Sequence, residues 1–251
     1  MSTLPRLYDD LAWLWCELSP PADYVAEVDA LLALMNVDPD APPPRILDLG
    51  CGAGRTLVHL AEALPDAVLV GLDLAEAMLV HGRRLIPSAE LVCGDMRDFD
   101  LSTDDGRGFD FILLHDAADY LTSMADRDAA LACCARHLAP GGRLVVAPTH
   151  LRETFAPAAA MDADDPDRPR LFSVTHDPDP ADSTFELILL CLVPDNDERG
   201  PLRLIEDRHR CGLFIESDWI QSLEAAGLSV QIHDADDEAA WDAAFVASAP
   251  G

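Results

Sequence analysis

Short apolar runs alternate with amphipathic segments between residues 45 and 147, and this alternation predicts the core of the fold. The apolar runs that we predict to be strands are 45–49, 67–72, 89–93, 109–114 and 143–147. The amphipathic segments that we predict to be helices between them are 55–64, 75–85 and 125–138. Strands that are almost wholly apolar and separated by helices are typical of a parallel sheet covered on both faces. The pattern therefore predicts a doubly wound α/β core.

The flanks of this core follow other patterns. Residues 156–170 are rich in Ala, Asp and Pro and are predicted to be a loop. The apolar runs between 171 and 211 are joined by turn-like segments, which favours an antiparallel meander. The elements predicted outside the core are helices over 7–18, 22–35 and 217–226 and strands over 171–176, 184–193, 202–211, 228–232 and 244–247.

The net negative charge of the chain disfavours two classes of binding partner, nucleic acids and anionic membranes. The 251 residues carry 17 cationic and 46 acidic side chains, a net charge of −29, and none of the cations is lysine. Such a chain is repelled by nucleic-acid phosphates and by anionic membranes, so we expect neither as a partner. The absence of lysine is also explained by a GC-rich genome, and net charge bears on association rather than on fold.

Cysteine usage and the terminus indicate a reduced, cytoplasmic protein. The seven cysteines include no CxxC pair and no accompanying histidine spacing, which argues against a zinc site and a disulfide framework. The first ten residues lack the basic and apolar regions of a signal peptide, and the longest apolar run, 187–193, is too short to span a bilayer.

A glycine-rich loop follows the first predicted strand. Glycines stand at 50, 52 and 54, where they permit a sharp turn and a close approach of a ligand to the backbone. Asp73 and Asp95 follow the next two strands, and ligands of open α/β sheets bind at this carboxyl edge. The GxGxG spacing departs from the GxGxxG of dinucleotide sites, and Asp48 before the loop suits a cationic group better than a phosphate.

Four motifs follow one another along the predicted core: DLGCGAG at 48–54, GLDL at 71–74, GDM at 94–96 and LAPGG at 138–142. In order and spacing they resemble the motifs of class I S-adenosylmethionine-dependent methyltransferases of the small-molecule type. The resemblance implies a Rossmann-like seven-stranded sheet of order 3-2-1-4-5-7-6 with an antiparallel last strand. It further implies an N-terminal helical lid at 1–40, a core at 41–150 and 213–251, and an inserted antiparallel β cap at 151–212.

The same resemblance implies a set of residues that bind S-adenosylmethionine. The set is Tyr8, Asp48, Gly50, Gly52, Asp73, Leu74, Asp95 and Met96. Asp73 would hold the ribose, Asp95 the adenine amine and Asp48 the loop with the amino group of the cofactor. The alternative is a tight turn followed by exposed acids, since a single Asp carries little information in so acidic a chain.

Candidates for catalysis and for acceptor binding follow the fourth and fifth strands. His115 and Tyr120 are candidate catalytic residues, because the residues after the fourth strand face the transferred methyl group in this family and His titrates near neutral pH. His150 and Arg152 are candidate substrate ligands. Each of the four has a structural alternative as a packing or surface residue.

The function that these expectations imply is methyl transfer from S-adenosylmethionine to an O or N nucleophile of a small molecule, without a metal. Two alternatives stay open: a non-catalytic S-adenosylmethionine-binding regulatory or interaction protein of the same fold, and a nucleotide-dependent oxidoreductase. The acceptor, the choice of methylated atom and the oligomeric state are not determined by the sequence.

Overall fold

A computed structural model describes residues 4–102, 106–162, 170–194, 201–234 and 241–250. Residues 163–169 of the predicted loop lie outside them. The helices are α1 (Ala12–Leu18), α2 (Val25–Met35), α3 (Arg55–Ala63), α4 (Glu76–Leu85), α5 (Met124–His137) and α6 (Glu216–Ala225). The strands are β1 (Arg45–Leu49), β2 (Val68–Asp73), β3 (Glu90–Cys93), β4 (Phe109–His115), β5 (Leu138–Ala147), β6 (Ala158–Asp162), β7 (Arg170–His176), β8 (Thr184–Pro194), β9 (Leu202–Gly212), β10 (Ser229–Asp234) and β11 (Ala243–Ser248).

The larger sheet has seven strands in the order β3-β2-β1-β4-β5-β11-β10. The strands from β3 to β5 pair in parallel, whereas β11 runs antiparallel to both β5 and β10. The fold class and strand order predicted from the sequence are confirmed. Because β1 to β4 run in parallel, their carboxyl ends meet at one edge, which is where the candidate site lies.

Alternating side chains of each strand form two cores. Leu47, Leu114 and Val146 point to one face, where α5 and α6 pack with Leu131 and Trp219. Residues one position away, such as Ile46, Leu113 and Val145, point to the other face against α2, α3 and α4. Both faces of the sheet are therefore buried, which explains the nearly continuous apolar runs.

The N-terminal helices are more broken than predicted. A single 3-10 turn, Arg6–Tyr8, precedes α1 in place of the continuous helix predicted over 7–18. The reason is tertiary: the backbone N–H of Leu7 donates to Asp207 of β9 and so holds the turn against another element. A second 3-10 turn, Pro21–Tyr24, opens on Pro21 and leads into α2.

A second sheet of four antiparallel strands has the order β6-β7-β8-β9. The predicted meander corresponds to β7–β9, but the prediction of a loop over all of 156–170 is wrong, because 158–162 form the edge strand β6. Pairing with β7 makes this alanine-rich segment a strand. The apolar face of the sheet packs against Leu7, Leu11 and Leu14 of the N-terminal segment. No helix within the described ranges is long and apolar enough to cross a membrane.

Candidate functional site

The glycine loop leaves the carboxyl end of β1 with an unusual backbone. Gly50, Gly52 and Gly54 have φ angles of 73°, 52° and 75°, a region in which L-residues are strained. The N–H of Gly50 donates to the carbonyl of Leu72 at 2.7 Å, which ties the loop to β2. A Cβ placed on Gly50 would lie 2.1 Å from the Cβ of Ala117. Glycine is therefore required at position 50 both for its conformation and for space.

Asp73, at the end of β2, holds this loop in place. Its Oδ2 accepts the N–H of Gly52 at 2.7 Å and its Oδ1 accepts the N–H of Ala75 at 2.7 Å. Burial raises the pKa of Asp73, while the two backbone N–H groups act in the opposite sense. Each carboxylate oxygen has a second lone pair. Asp73 can therefore support the loop and still accept hydrogen bonds from a ligand hydroxyl.

Asp48, His115 and Glu27 form a buried charged cluster beneath the loop. His115 Nδ1 contacts the carboxylate of Glu27, which α2 supplies, and its Nε2 lies 3.3 Å from Oδ1 of Asp48. Burial alone would lower the pKa of His115, but the two carboxylates outweigh it and raise this pKa well above its ordinary value. Neither oxygen of Asp48 accepts a hydrogen bond from any described residue.

This placement bears on the prediction that His115 is a catalytic base. A histidine that is already protonated has no lone pair with which to accept a proton. The geometry therefore favours His115 as a buried counter-ion for Asp48 and Glu27, and the catalytic role stays a prediction.

Asp116, the residue after His115, has a strained backbone with a φ angle of 48°. The surrounding protein removes water from the Asp116 carboxylate and raises its pKa to about 6, and the negative charge of Glu27 adds to this effect. Part of the residue is nevertheless exposed at the surface. Asp116, Glu27 and His115 each bring one ligand atom to within 4.8 Å of the others, as a candidate cation site would. His115 must lose its proton before it binds a metal, and its raised pKa opposes that loss.

The side chains on the β2–β3 side of the edge include one exposed apolar residue and one ion pair. Leu74 is 51% exposed immediately after β2, and Met96 is half-buried near the glycine loop. Asp95 accepts hydrogen bonds from the Arg97 guanidinium, with Nη2 to Oδ2 at 2.6 Å, and this pairing holds the pKa of Asp95 below its usual range. An exposed leucine suits a flat ligand, whereas Asp95 already has a partner.

A chain of hydrogen bonds connects the N-terminal segment, the carboxyl edge and the second sheet. The hydroxyls of Tyr8 and Tyr120 lie 2.9 Å apart, and the Tyr120 hydroxyl lies 2.6 Å from His209 Nδ1. His209 Nε2 is 3.2 Å from Oδ2 of Asp207, and the same oxygen accepts the N–H of Leu7 at 2.8 Å. Three separate parts of the chain thus meet at two tyrosines and one histidine.

Arg55 fastens the N-terminal segment to the loop. It stands at the start of α3, is buried, and donates from Nε to the carbonyl of Ser19 and from Nη2 to the carbonyl of Trp15 at 3.1 Å. Its guanidinium also lies over the ring of Tyr24. A GxGxxG loop that began at Gly50 would have its third glycine at position 55. Arg55 instead has a structural role, because it holds the N-terminal segment against the loop.

His150 and Arg152 are placed to one side, against the second sheet. The ring of His150 makes edge contacts with Phe155 and Phe185, and burial lowers its pKa. The guanidinium of Arg152 donates to the backbone carbonyls of Leu213, Pro180 and Asp182. These contacts favour a structural role for Arg152, and both substrate assignments stay predictions.

The structure therefore brings Tyr8, the glycine loop, Asp73, Met96 and Tyr120 to one edge. The sequence interpretation missed Glu27, Asp116, Asp207 and His209. Asp116 could have been found, because it directly follows His115 at the strand end. The other three lie on α2 and β9, and no local motif marks them.

Known proteins resemble this chain along most of its length. A family model described as a methyltransferase domain matches residues 46–142. The dTDP-3-amino-3,4,6-trideoxy-alpha-D-glucopyranose N,N-dimethyltransferase of Streptomyces venezuelae is 33% identical over 83% of this chain and 85% of the relative. The dTDP-3-amino-3,6-dideoxy-alpha-D-glucopyranose N,N-dimethyltransferase of Streptomyces fradiae is 35% identical over 83% and 79%.

A solved structure extends the likeness to the whole chain. It is that of SAM-bound CalS10, an amino pentose methyltransferase from Micromonospora echinaspora involved in calicheamicin biosynthesis. It superposes with a TM-score of 0.72 and 27% identity, covering 99% of this chain and 98% of that one.

Proposed function

Because the chain belongs to the class I S-adenosylmethionine-dependent methyltransferases and methylates a small molecule, we propose that its acceptor is the amino group of a sugar. The observation that carries this proposal is the similarity, over most of both chains, to enzymes named as N,N-dimethyltransferases of amino sugars. These relatives are enzymes, and nothing in the chain favours the alternative of a non-catalytic binding protein.

The residues present fit the cofactor. Asp48 is buried and ion-paired with His115 through Oδ1, but neither of its oxygens has a well-aligned hydrogen bond from a described residue, so it retains capacity to accept one from a ligand. Gly50 lets the loop backbone pass close to Ala117, where a Cβ would clash at 2.1 Å, and places no side chain between the loop and a ligand. We propose that Asp48 receives the cofactor's amino group, Gly50 and Gly52 line its methionine part and Asp73 receives its ribose hydroxyls. Leu74 and Met96 would contact the adenine.

Two assignments are modified by the geometry. Asp95 already accepts three N–H groups of Arg97, from the backbone, Nε and Nη2, so we propose that it binds the adenine amine through its one remaining lone pair. Tyr8 packs against Ala53, Ala75 and Met78 beside the loop, which supports its proposed role as a cover over the cofactor.

The negative charge at the carboxyl edge of the sheet favours the binding of two positively charged groups, the sulfonium of the cofactor and the ammonium of the acceptor. S-adenosylmethionine, when bound, supplies a methyl group that is activated by a positively charged sulfonium. Asp48, Asp73 and Asp116 lie at the ends of the neighbouring strands β1, β2 and β4. Together with Glu27 they outnumber the positive charge of His115 among them, so the edge attracts positive charge at short range. An acceptor ammonium gains from the same field, and a neutral hydroxyl does not.

The remaining tasks of the protein are to orient the acceptor nitrogen and to enclose the site against water. Tyr8 and Tyr120 place two hydroxyls at the end of the edge, where they can hold an acceptor nitrogen in line for transfer. We propose that residues 1–40 form a lid and 151–212 a cap that keep water out, with 41–150 and 213–251 as the core. The cytoplasmic location remains a prediction, which the seven free thiols support.

The proposal is tested by calorimetry and by an acceptor assay. We expect S-adenosylmethionine and S-adenosylhomocysteine to bind, Asp73→Ala to weaken binding at least tenfold, about 1.4 kcal/mol, and Asp234→Ala on exposed β10 to leave it unchanged. In the assay, dTDP-3-amino-3,6-dideoxyglucose should gain one or two methyl groups and the 3-hydroxy analogue none. Because the chain is strongly acidic, the free amino sugar is assayed beside the nucleotide-linked one. Methylation of neither amine would refute the proposal.

A further inference from the structure

The hydrogen-bond chain from Tyr8 to Asp207 has one arrangement of protons in which His209 is neutral. Burial alone would raise the pKa of Asp207, but hydrogen bonds from His209 and Leu7 outweigh it and lower this pKa, so Asp207 is an anion at neutral pH. An anion needs a donor, and therefore Nε2 of His209 carries the hydrogen that points to Asp207. Nδ1 is then an acceptor, and the Tyr120 hydroxyl donates to it at 2.6 Å.

The surroundings of this chain suit a group that holds a proton briefly. His209 is 1% exposed and Asp207 is 6% exposed, so water does not compete for their contacts. Burial also raises the pKa of Tyr120, which keeps its hydroxyl protonated and able to donate. The hydroxyl of Tyr8 occupies one lone pair of the Tyr120 oxygen, and no described residue donates to the second.

An amine acceptor requires such a group. An aliphatic amine has an ordinary pKa near that of lysine, about 10.4, so it arrives as an ammonium without a free lone pair. It must lose a proton before it can attack the methyl group, and a second methylation requires a second loss. His115 does not serve, because it lies buried between two carboxylates.

We propose that Tyr120, His209 and Asp207 form a proton relay that deprotonates the acceptor ammonium, a step that rests on the proposed function. The ammonium gives a proton to the oxygen of Tyr120 while the hydroxyl hydrogen of Tyr120 passes to Nδ1 of His209. The products are a neutral amine with its lone pair free, an unchanged phenol, and an imidazolium beside the Asp207 carboxylate. The proton returns to solvent water when the site opens. Tyr120 is the catalytic residue, and His209 and Asp207 are positioning residues that act through it.

Other titratable groups around His209 do not replace this function. From the elements packed around the relay, they are Tyr8, Asp116, Asp119 and Cys211. Burial raises the pKa of Cys211 and of Asp119. Among the described residues, neither is hydrogen-bonded to Tyr120 or to His209, so neither lies on the path of the proton. The residue paired with His209 on β8 is Leu187, which is apolar.

Three variants separate proton transfer from packing. Asp207→Asn retains an oxygen that can accept from Leu7 and His209 and removes only the charge. His209→Asn can place an amide oxygen near the position of Nδ1, so it retains an acceptor for Tyr120 but cannot carry a proton. Tyr120→Phe removes the hydroxyl. His233→Asn, on exposed β10, is the matched control.

The assay measures kcat and KM with dTDP-3-amino-3,6-dideoxyglucose across a pH series, with calorimetry of S-adenosylmethionine for every variant. Because general acid–base catalysis contributes about 10²–10⁴-fold, we expect kcat of His209→Asn and Tyr120→Phe to fall by about 30-fold or more at neutral pH. Cofactor affinity should change less than threefold. The deficit should shrink as the pH approaches the range in which the amine is neutral in solution. Asp207→Asn should show a smaller loss of kcat, and His233→Asn none.

Nitrogen NMR of labelled histidine gives a readout that does not depend on turnover. We expect His209 to be the Nε2-protonated tautomer, and its Nδ1 signal to move in Tyr120→Phe. The relay is refuted if His209→Asn retains kcat within threefold, if its deficit is constant with pH, or if Nδ1 carries the hydrogen. A wild type that binds no cofactor and methylates no amine would instead overturn the proposed function, and the relay with it.

Discussion

The unsatisfied carboxylate of Asp48 allows ligand binding to be separated from folding. In Asp48→Asn the side chain keeps its shape and loses its charge. At an effective dielectric constant near 20, the attraction between Asp48 and His115 at 3.3 Å is about 5 kcal/mol. The effective cost of burying a carboxylate is also several kcal/mol. The repulsion of Glu27 by Asp48 further offsets the attraction.

These opposing contributions nearly cancel in the unliganded chain. We therefore expect Asp48→Asn to change the free energy of unfolding by less than about 1 kcal/mol, which for a chain of this size is a Tm shift of at most about 4 °C. Cofactor binding should suffer more. Loss of one hydrogen bond to a charged group costs about 1.5–3 kcal/mol, or about 10- to 150-fold in Kd for S-adenosylmethionine.

Thermal unfolding and calorimetric titration of the same samples check both values. Asp73→Asn is the matched comparison, because it must present an amide NH₂ to one of two backbone N–H groups. It should lose about 1–3 kcal/mol of stability and cofactor affinity together. A fall in Tm of more than about 8 °C in Asp48→Asn, or an unchanged affinity, would show that Asp48 is part of the folding core rather than a ligand.

Three further outcomes follow from contacts at the site. Gly50→Ala should abolish cofactor binding, because its Cβ would meet Ala117 at 2.1 Å and φ is positive; calorimetry checks this, and near-native affinity would contradict it. The stability difference between wild type and His115→Gln should be greatest below about pH 6.5 and should diminish as the pH rises through the raised pKa of His115. Denaturant titrations at several pH values measure this difference, and an increase of the difference with pH would contradict the prediction. Arg152→Gln should lower Tm by several degrees and leave the KM of the acceptor within twofold, whereas a tenfold KM increase at unchanged Tm would support the role of substrate ligand.

Local pattern explains how far the fold could be predicted. Strands buried on both faces read as apolar runs, and the glycines at 50, 52 and 54 mark the turn at the sheet edge directly. The strand at 158–162 could not be found this way, since Ala158 to Met161 have little strand propensity and become a strand only by pairing with β7. The helix predicted over 7–18 was interrupted by the contact of Leu7 with Asp207, 200 residues later.

Some residues of the candidate site could likewise be predicted from local pattern, and others could not. Asp48 and Asp73 lie in the carboxyl-terminal ends of β1 and β2 and Tyr120 follows β4, so their common edge could be inferred from parallel order alone. Glu27 and His209 reach that edge from other layers of the fold. His209 depends on the register of β8 with β9, which pairs it with Leu187 and fixes which side of the sheet it occupies. A single sequence contains no local signal for that register.

Asp207 binds the N-terminal segment and the imidazole of His209 with the same oxygen. Any movement that lifts the segment away from the second sheet breaks the bond from Leu7 and separates Tyr8 from Tyr120 together. Tyr120, His209 and Asp207 keep their mutual hydrogen bonds in such a movement, because neither bond involves the segment. The proposed relay therefore stays assembled against the second sheet while ligands exchange, and opening removes only the covering hydroxyl of Tyr8.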